Sequence, residues 1–313
     1  MRKQYRFGHT GVELFLPEDM PVPENMRKFE AKDTAAQLTC RIEFGTDLEE
    51  PVRRFRREEP VLKEIQRENL TVLCGADREC RILRFVGDDR PYAVSVERSP
   101  KERWVCVRES VRPMLIYDTI FVSLLALEKL MIRSGHLILH SAYMCREGKA
   151  VLFSAPSETG KSTQADLWEK YRGTRTVNGD RSLLVRESDG WYAYGWPVCG
   201  SSEICHNEAW PVQAIVMLYQ SGKNEIRRLC GMQAVRKLTP QITMNMWNAG
   251  FQMKALDLIE QIVGEVPIYE LGCDISEDAV KCLEGVLQRE EEINERPDHG
   301  AEGIPEHTGS LYA

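Results

Sequence analysis

Residues 150–171 have the sequence AVLFSAPSETGKSTQADLWEKY, in which an apolar segment precedes a polar loop and a second segment of mixed character. The apolar part contains the β-branched and aromatic residues typical of a buried strand, whereas residues 161–171 carry apolar side chains at helical spacing. Between them, Ala155 to Ser162 fit the pattern GxxxxGK[ST], with Ala155 where glycine is more usual. The sequence therefore predicts a strand, a tight anion-binding turn and a helix.

Such a turn has a physical basis for binding a nucleotide. Gly160 allows the sharp change of direction, and the helix that follows points the positive end of its dipole at the same place. Lys161 would neutralise the β- and γ-phosphates, Ser162 would ligate Mg²⁺, and Thr163 would add a phosphate contact. The remaining loop positions of this predicted ATP site are Pro156, Ser157, Glu158 and Thr159. A chance match to the pattern is the alternative, and the strand and helix on either side argue against it.

Two further residues are candidates for chemistry near the phosphates. Asp180 follows a predicted strand 19 residues after Lys161, where a carboxylate could ligate Mg²⁺ or accept a proton. The alternative is that Asp180 is a turn residue in Asn178-Gly179-Asp180. His140 ends the apolar segment LILH (137–140) before the loop strand, and taken alone it is better explained as a structural histidine. Glu203, Arg227 and Arg228 could also face the phosphates, but periodicity does not place them.

The pattern of apolar residues divides the chain into three parts. Residues 1–111 are predicted to form a β-rich domain, since short alternating segments such as 38–44 and 92–97 are separated by turn residues. Residues 112–289 begin with a predicted helix at 114–133 and contain the nucleotide loop. Residues 290–313 hold seven acidic residues and one basic residue, and little apolar content, so an acidic, disordered tail is expected there.

Composition excludes several classes of protein. With 42% hydrophobic and 28% charged residues, the chain is expected to be globular, and a net charge of −7 argues against a nucleic-acid partner. No apolar segment is long enough between charges for a membrane span or a secretory signal, so we expect a cytoplasmic protein with reduced thiols. Cys199, Cys205 and His206 form one local cluster, but their spacing matches no common zinc pattern and a structural role is expected.

These residues together resemble a known family. The segment LHSAYMCREGKAVLFSAPSETGKSTQADLW (139–168), followed by VNGDRSLLV (177–185), is similar to the HPr kinase/phosphorylase family and to a bacterial branch of that wider group. The resemblance implies an α/β (α+β) fold with the P-loop core of phosphoenolpyruvate carboxykinase. It covers about 136–230 and gives no account of residues 1–111.

The resemblance to the HPr kinase/phosphorylase family implies functions for particular residues. The resemblance implies that Ala155 to Thr163 bind ATP, that Ser162 and Asp180 serve Mg²⁺, and that Asp180, His140 and Lys161 act in catalysis. It also implies a homo-oligomer. Two features of this chain differ from the family's pattern. The family usually has two adjacent aspartates where this chain has Gly179-Asp180. Its arginine-bearing loop for the reverse reaction is also not found in residues 196–212.

Three functions are compatible with these features. The first is an ATP- and Mg²⁺-dependent kinase that transfers the γ-phosphoryl group to a hydroxyl of a protein, peptide or small molecule. The second is an ATP-binding sensor or scaffold with little turnover, which the single aspartate motivates. The third, a carboxykinase, is less well supported because those chains are much longer and their metal-binding lysine and histidine are not found here.

Overall fold

The computed structural model describes residues 1–295, which form two large β-sheets with helices packed on them. The strands of the first sheet are β1 (Arg2–Phe7), β2 (Thr10–Phe15), β3 (Ala36–Gly45), β4 (Lys63–Gln66), β5 (Leu70–Cys74), β6 (Glu79–Arg84), β7 (Pro91–Ser99) and β8 (Glu102–Arg108). Their order is β1-β2-β3-β8-β7-β6-β5-β4. The β-rich character expected of residues 1–111 is therefore present.

The second sheet follows and is also built of eight strands. They are β9 (His136–Arg146), β10 (Lys149–Ser154), β11 (Arg175–Asn178), β12 (Arg181–Glu187), β13 (Gly190–Tyr194), β14 (Ala209–Gln220), β15 (Glu225–Leu229) and β16 (Ile268–Cys273). Their order is β10-β9-β12-β13-β14-β16-β15, with β11 against β9. Parallel pairs β10–β14 and β14–β16 lie beside antiparallel pairs, so the sheet is mixed and the fold is α/β.

Eight α-helices complete the described part of the chain. They are α1 (Glu24–Arg27), α2 (Glu49–Glu58), α3 (Asp118–Leu125), α4 (Leu127–Arg133), α5 (Lys161–Arg172), α6 (Met232–Leu238), α7 (Ala249–Glu265) and α8 (Glu277–Glu295). Within residues 1–295, no helix has both the length and the apolar character that a membrane span requires.

The two faces of strand β9 pack against different helices and belong to different hydrophobic cores. Leu139 and Tyr143 belong to a core shared with α7, whereas Ala142 and Met144 point to the opposite face and pack in a core with α5 and α8. This division follows from the two-residue period of a strand. Ile138 lies on the same face as Ala142 but belongs to a third core, which it shares with the first sheet.

The two sheets are joined by that third core. Phe7 of β1 contacts Trp196, with ring centroids 5.2 Å apart, and Leu183 and Val185 of β12 belong to the same cluster. The first sheet ends at Arg108 and the second begins at His136, on either side of the predicted boundary at 111/112. The segment between them, including the buried Phe121 of α3, packs with the first sheet.

Several predicted elements have different bounds in the structure. The helix predicted at 114–133 is a 3-10 helix at Glu109–Ile116 followed by α3 and α4, because Ala126 adopts a left-handed conformation with φ of 49° and breaks the helix. Strands β14 and β15 are consecutive in the chain, but they do not pair directly, because β16 lies between them. Sequence alone does not reveal that a later strand is inserted there.

The acidic tail also begins later than predicted. Helix α8 continues to Glu295, and Glu290 and Glu291 contact the sheet: Glu290 accepts a hydrogen bond from Tyr269, and Glu291 lies 2.9 Å from the Lys149 ammonium. These two acids are therefore part of the folded chain, because basic side chains of the sheet compensate their charge. The rest of the predicted tail, residues 296–313, lies outside the described residues.

Candidate functional site

A cleft of about 350 Å³ lies where β10 ends and α5 begins. It is lined by His140, Ser157, Glu158, Gly160, Lys161, Ser162, Thr163, Gly179, Asp180, Gly200 and Ser201. Strand β9 brings His140 to this place because Ser141 is paired with Ser154, the last residue of β10. Three separate segments that the sequence analysis singled out therefore meet in one cavity.

The loop between β10 and α5 has the local geometry that its sequence predicts. Gly160 has a φ of 114°, and no atom lies within 4 Å of where its Cβ would be, so backbone conformation and not crowding accounts for glycine here. Glu158 also has a positive φ, 64°, which is uncommon for a residue with a side chain. Within the described residues no side chain caps α5, so its first N–H groups remain available at the cleft.

Lys161 is held inside the loop. Its Nζ donates hydrogen bonds to the carbonyl oxygens of Ala155 and Pro156, at 3.1 and 3.2 Å, and the residue is 7% exposed. Burial lowers the pKa of the ammonium because desolvation disfavours the charged form, while the Asp180 carboxylate acts in the opposite direction. The Lys161 ammonium is thus held by two carbonyl groups of its own loop and interacts electrostatically with the Asp180 carboxylate.

Asp180 is positioned by the turn that precedes β12. The buried side chain of Asn178 accepts hydrogen bonds from the backbone N–H groups of Asp180 and Arg181, at 2.9 and 2.8 Å, and donates one to the carbonyl of Trp196. Asn178 therefore forms an Asx-type turn that holds Asp180 at the mouth of the cleft. Asp180 is both a turn residue and a cleft residue, so the two alternatives considered from sequence are not exclusive.

The Asp180 carboxylate contacts two basic side chains. Its Oδ1 lies 3.2 Å from Nε2 of His140, and its Oδ2 lies 3.3 Å from Nε of Arg181. Burial opposes ionisation, but the hydrogen bond from His140 and the positive charges of Arg181 and Lys161 together outweigh it, so the pKa of Asp180 is below its usual value. The Asp180 carboxylate is therefore ionised at neutral pH and contributes a negative charge to the cleft.

The other predicted loop residues occupy different positions. Ser162 and Thr163, in the first turn of α5, line the cleft together with Ser157 and Glu158. Ala155 is buried in the core beneath the loop, where its small side chain packs with α5. Thr159 and Pro156 do not line this cleft: Thr159 faces a neighbouring one, and Pro156 contributes its carbonyl oxygen to Lys161.

The neighbouring cleft shares the loop with the first one. It has a volume of about 530 Å³ and is lined by Glu158, Thr159, Gly160, Thr163, Gln164, Gln220, Ser221, Gly222, Cys273, Asp274 and Ile275. Gln164 is held by the carbonyl of Asp274 at 3.0 Å, which connects α5 to the end of β16. The two clefts are continuous along the first turn of α5 and together extend on both sides of the loop.

Sequence reasoning missed two residues that line the cleft, Gly200 and Ser201, and one that contacts Asp180 beside it, Arg181. Arg181 was passed over because a charged residue beside an acid looks like an ordinary surface pair. Gly200 and Ser201 come from a distant 3-10 turn, and no local signal links them to the loop. Gly200 has a φ of 62°, and a Cβ there would lie 3.0 Å from the Cβ of Asp180, so that turn packs directly against the carboxylate residue.

The same turn accounts for the glycine beside Asp180. A Cβ on Gly179 would lie 1.8 Å from Oγ and 2.4 Å from Cβ of Ser202. An aspartate side chain does not fit at position 179 while Ser202 occupies this space. The packing of Ser202 against Gly179 therefore explains why this chain lacks the first of the two aspartates.

The basic residues considered as phosphate contacts lie elsewhere. On β15, Arg227 pairs with Glu270 and Arg228 pairs with Glu290, and neither lines the cleft. Glu203 is exposed on the turn after Ser202 and does not line it either. Among residues 1–295, no three histidine, cysteine, aspartate or glutamate residues form a group that could hold a metal ion by themselves.

Comparison with known proteins assigns the family. A search of curated proteins finds no match. Among solved structures, the Hpr(Ser) kinase/phosphatase from Coxiella burnetii is similar over 50% of this chain and 91% of its own, with 12% identity and a TM-score of 0.30, values that carry no argument about activity. The model of the family described as "SynChlorMet cassette protein ScmC" matches residues 105–288, which include every residue of the cleft. With more than half of its length matched, the chain belongs to the ScmC family of SynChlorMet cassette proteins.

Proposed function

We propose that this protein is an ATP- and Mg²⁺-dependent kinase that transfers the γ-phosphoryl group of ATP to a hydroxyl group. The observation that carries the proposal is the convergence of Lys161, Asp180 and His140 at the N-terminus of α5. Lys161 offers a cation for the phosphates, Asp180 offers a carboxylate for the metal or the proton, and His140 adds a ring that can take part in the proton transfer. Family membership by itself names no chemistry, so the proposal rests on the cleft.

The loop supplies the phosphate contacts in this proposal. The uncapped N–H groups of α5 and the positive end of its dipole attract the phosphate oxygens, and Gly160 gives the turn that directs them into the cleft. Lys161 exchanges its two carbonyl hydrogen bonds for contacts with the β- and γ-phosphates. The larger neighbouring cleft, which begins at Thr159, accommodates the nucleoside.

The donor set fits Mg²⁺. Ser162 and Asp180 offer a hydroxyl and a carboxylate in the same cleft, and Mg²⁺ is commonly bound by one or two protein oxygens together with substrate phosphates. The absence of a larger ligand group among the described residues agrees with such a site. When bound there, Mg²⁺ would neutralise charge on the β- and γ-phosphates. The residues that would hold it are Ser162 and Asp180.

The remaining chemistry is a displacement with a proton transfer. The acceptor oxygen forms a bond to the γ-phosphorus while the bond from that phosphorus to the β,γ-bridging oxygen breaks, and ADP leaves. The hydroxyl proton passes to the Asp180 carboxylate, which is ionised because its pKa is low, or to His140, whose Nε2 is 3.2 Å from that carboxylate. Arg181 limits the carboxylate to one orientation by contacting its second oxygen.

One feature favours a second candidate function, an ATP-binding sensor with little turnover. Position 179 has no room for a second carboxylate, so Asp180 would have to serve both the metal and the proton. Both of its oxygens are also engaged with His140 and Arg181. In a sensor these pairs would hold the cleft together and would not change during a reaction.

The decisive experiment compares Lys161→Ala with Lys170→Ala, a change of an exposed lysine on the same helix. The wild type and Lys170→Ala are expected to transfer ³²P from [γ-³²P]ATP to an acceptor in a cell extract, whereas Lys161→Ala should lose at least about 100-fold. Full activity in Lys161→Ala would contradict the proposed site. A wild type that binds a fluorescent ATP analogue in a Lys161-dependent manner but labels nothing would instead support the sensor.

A further inference from the structure

A further cavity, which we call the interface cavity, lies beside the cleft, between helices α3 and α4 and the second sheet. It has a volume of about 280 Å³ and is lined by Thr119, Val122, Ser123, Leu127, Glu128, Ile138, Arg181, Trp196, Val198 and Thr243. Its walls come from α3 and α4 on one side and from β9, β12 and the segment after β13 on the other. Most of its wall is apolar, but Arg181 contributes a positive charge and Glu128 a negative charge.

The register of β9 places this cavity beyond the phosphate end of the cleft. Ser141 pairs with Ser154, the last residue of β10, and β9 runs antiparallel, so His140 and then Ile138 project past the end of β10. His140 lines the cleft and Ile138 lines the interface cavity on the same face of the strand. The two cavities are therefore separated by one two-residue step, about 7 Å along the strand.

Two other segments connect the cavities in the same way. Asp180 lines the cleft, and Arg181, which contacts its carboxylate, lines the interface cavity. Arg181 also donates a hydrogen bond from Nη1 to Oγ1 of Thr243 at 2.8 Å, so the guanidinium is fixed between the two spaces. After β13, Val198 lines the interface cavity and Gly200 lines the cleft. The interface cavity thus adjoins Asp180, the residue to which the proposed function assigns the proton of the acceptor hydroxyl.

We propose that the interface cavity binds an apolar side chain of a peptide acceptor, two residues away from the serine or threonine that receives the phosphoryl group. This proposal rests on the kinase function proposed above. Side chains two apart on an extended peptide lie on one face about 7 Å from each other, which matches the step from the cleft to the cavity. The cavity is smaller than most sites for complete small ligands, which begin near 300 Å³, and suits one large side chain.

The chemistry of the wall selects that side chain. Trp196, Val198 and Ile138 are each less than 9% exposed, and they present an apolar surface on which a leucine or phenylalanine side chain would be removed from water. The Glu128 carboxylate is already paired with Arg81, at 2.5 Å, and Arg181 with Asp180, so neither charge needs a partner from the acceptor. An aspartate or lysine side chain would lose its hydration here without gaining an unpaired opposite charge.

The test is a peptide array labelled with [γ-³²P]ATP and Mg²⁺ by the full-length protein. Each peptide carries one central serine or threonine, and the positions up to three residues away are replaced singly by Leu, Phe, Gly, Asp or Lys. We expect Leu or Phe at one of the positions two residues away to increase labelling about tenfold or more over Gly or Asp there. A labelled array without that preference would overturn the proposal.

Variants of the cavity provide the control. Val122→Trp fills the interface cavity and should abolish the apolar preference, while Val86→Trp, at a position 68% exposed in the turn between β6 and β7, should keep it. Thr119→Trp, at an exposed position of the wall, serves if Val122→Trp does not fold. Binding of a fluorescent ATP analogue should be unchanged in all three. A preference that survives both cavity variants would contradict the proposal.

The remaining outcomes separate this inference from the proposed function. If the protein binds the ATP analogue but labels no peptide, and labels free serine or another small alcohol instead, the acceptor is not a peptide and the inference is wrong while the kinase stands. If nothing is labelled although ATP binds, both the inference and the kinase are contradicted in favour of the sensor. If ATP does not bind, the nucleotide site itself is wrong.

Discussion

At the scale of single residues, the cleft depends on three glycines, one for its backbone conformation and two for the space they leave. Gly160 allows the turn before α5, Gly200 packs against Asp180, and Gly179 leaves the space that Ser202 occupies. Of these, only Gly160 could be recognised from the sequence, because it belongs to a known loop pattern. The requirement at Gly179 and Gly200 arises from a contact between segments about 20 residues apart.

Gly179 gives a sharp prediction. Gly179→Ala would place a Cβ 1.8 Å from Oγ of Ser202, so the turn at 200–202 must move away from Asp180. We expect a loss of about 1–3 kcal/mol in the free energy of unfolding and weaker nucleotide binding. Chemical denaturation and titration with a fluorescent ATP analogue would measure both.

The matched control removes the obstructing side chain. In the double variant Gly179→Ala with Ser202→Gly, the added methyl group meets no serine, so most of the loss should be recovered. A double-mutant cycle would report this as a coupling energy between the two positions. Strictly additive effects of the two substitutions would mean that Ser202 does not occupy the space assigned to it.

At the scale of elements, helix α5 carries Lys161, Ser162 and Thr163 at one end and is anchored by its buried face. Trp168 is 0% exposed and packs in the core between α5 and the even-numbered residues of β9. At the far end, Arg172 contacts Glu284 of α8 at 2.7 Å. The position of the loop therefore depends on packing two turns away from it.

Replacing Trp168 tests this dependence. Trp168→Ala should lower the free energy of unfolding by about 3–5 kcal/mol, because it leaves a cavity beneath the helix, and should weaken binding of an ATP analogue. Glu169→Ala, at the exposed neighbouring position, should change neither. Thermal denaturation and nucleotide titration of the two variants would check this. Unchanged stability in Trp168→Ala would show that α5 is not held by this core.

At the scale of the whole molecule, the two sheets share a core and do not form separate layers. His136, the first residue of β9, lies at this junction, 6% exposed, and neither ring nitrogen has a partner among the described residues. A Cβ on Gly8, in the turn after β1, would lie 3.9 Å from its Nε2. Burial lowers the pKa of His136 to about 4, since the charged ring would lose its hydration.

This burial predicts how stability depends on pH. Between the unfolded value of 6.5 and the folded value of about 4, the unfolded chain binds a proton at His136 that the folded chain does not. The free energy of unfolding should therefore rise with pH across that window, by roughly 3 kcal/mol from this residue.

The measurement is urea denaturation from pH 4 to pH 7 of the wild type and of His136→Phe. The variant keeps a ring of similar size but does not titrate, so its stability should depend less on pH. Because the other histidines are common to both proteins, the difference between the two curves isolates His136. Parallel curves would mean that His136 is protonated equally in the folded and unfolded states.

How much of the candidate site could be predicted from sequence depends on how local its determinants are. The β10 strand, the loop and α5 were recognisable because turn, glycine and helix signals are contiguous at 150–171. Asp180 and His140 were predicted to be near the loop, and the structure brings both to it. Gly200 and Ser201 were missed, since only the tertiary fold brings their segment to the cleft. Arg181 was missed although it follows Asp180, because an arginine beside an acid has no distinguishing sequence signal.

The amino-acid sequence by itself determined the strand, turn and helix around Gly160 and the apolar periodicity of both sheets, because backbone propensity and burial pattern act over a few residues. The tertiary structure alone decided that β16 lies between β14 and β15, that Ser202 fills the space beside Gly179, and that a cavity opens next to Arg181, between α3, α4 and the second sheet. These features come from contacts between residues far apart in the chain, and their energies depend on packing that no local pattern records.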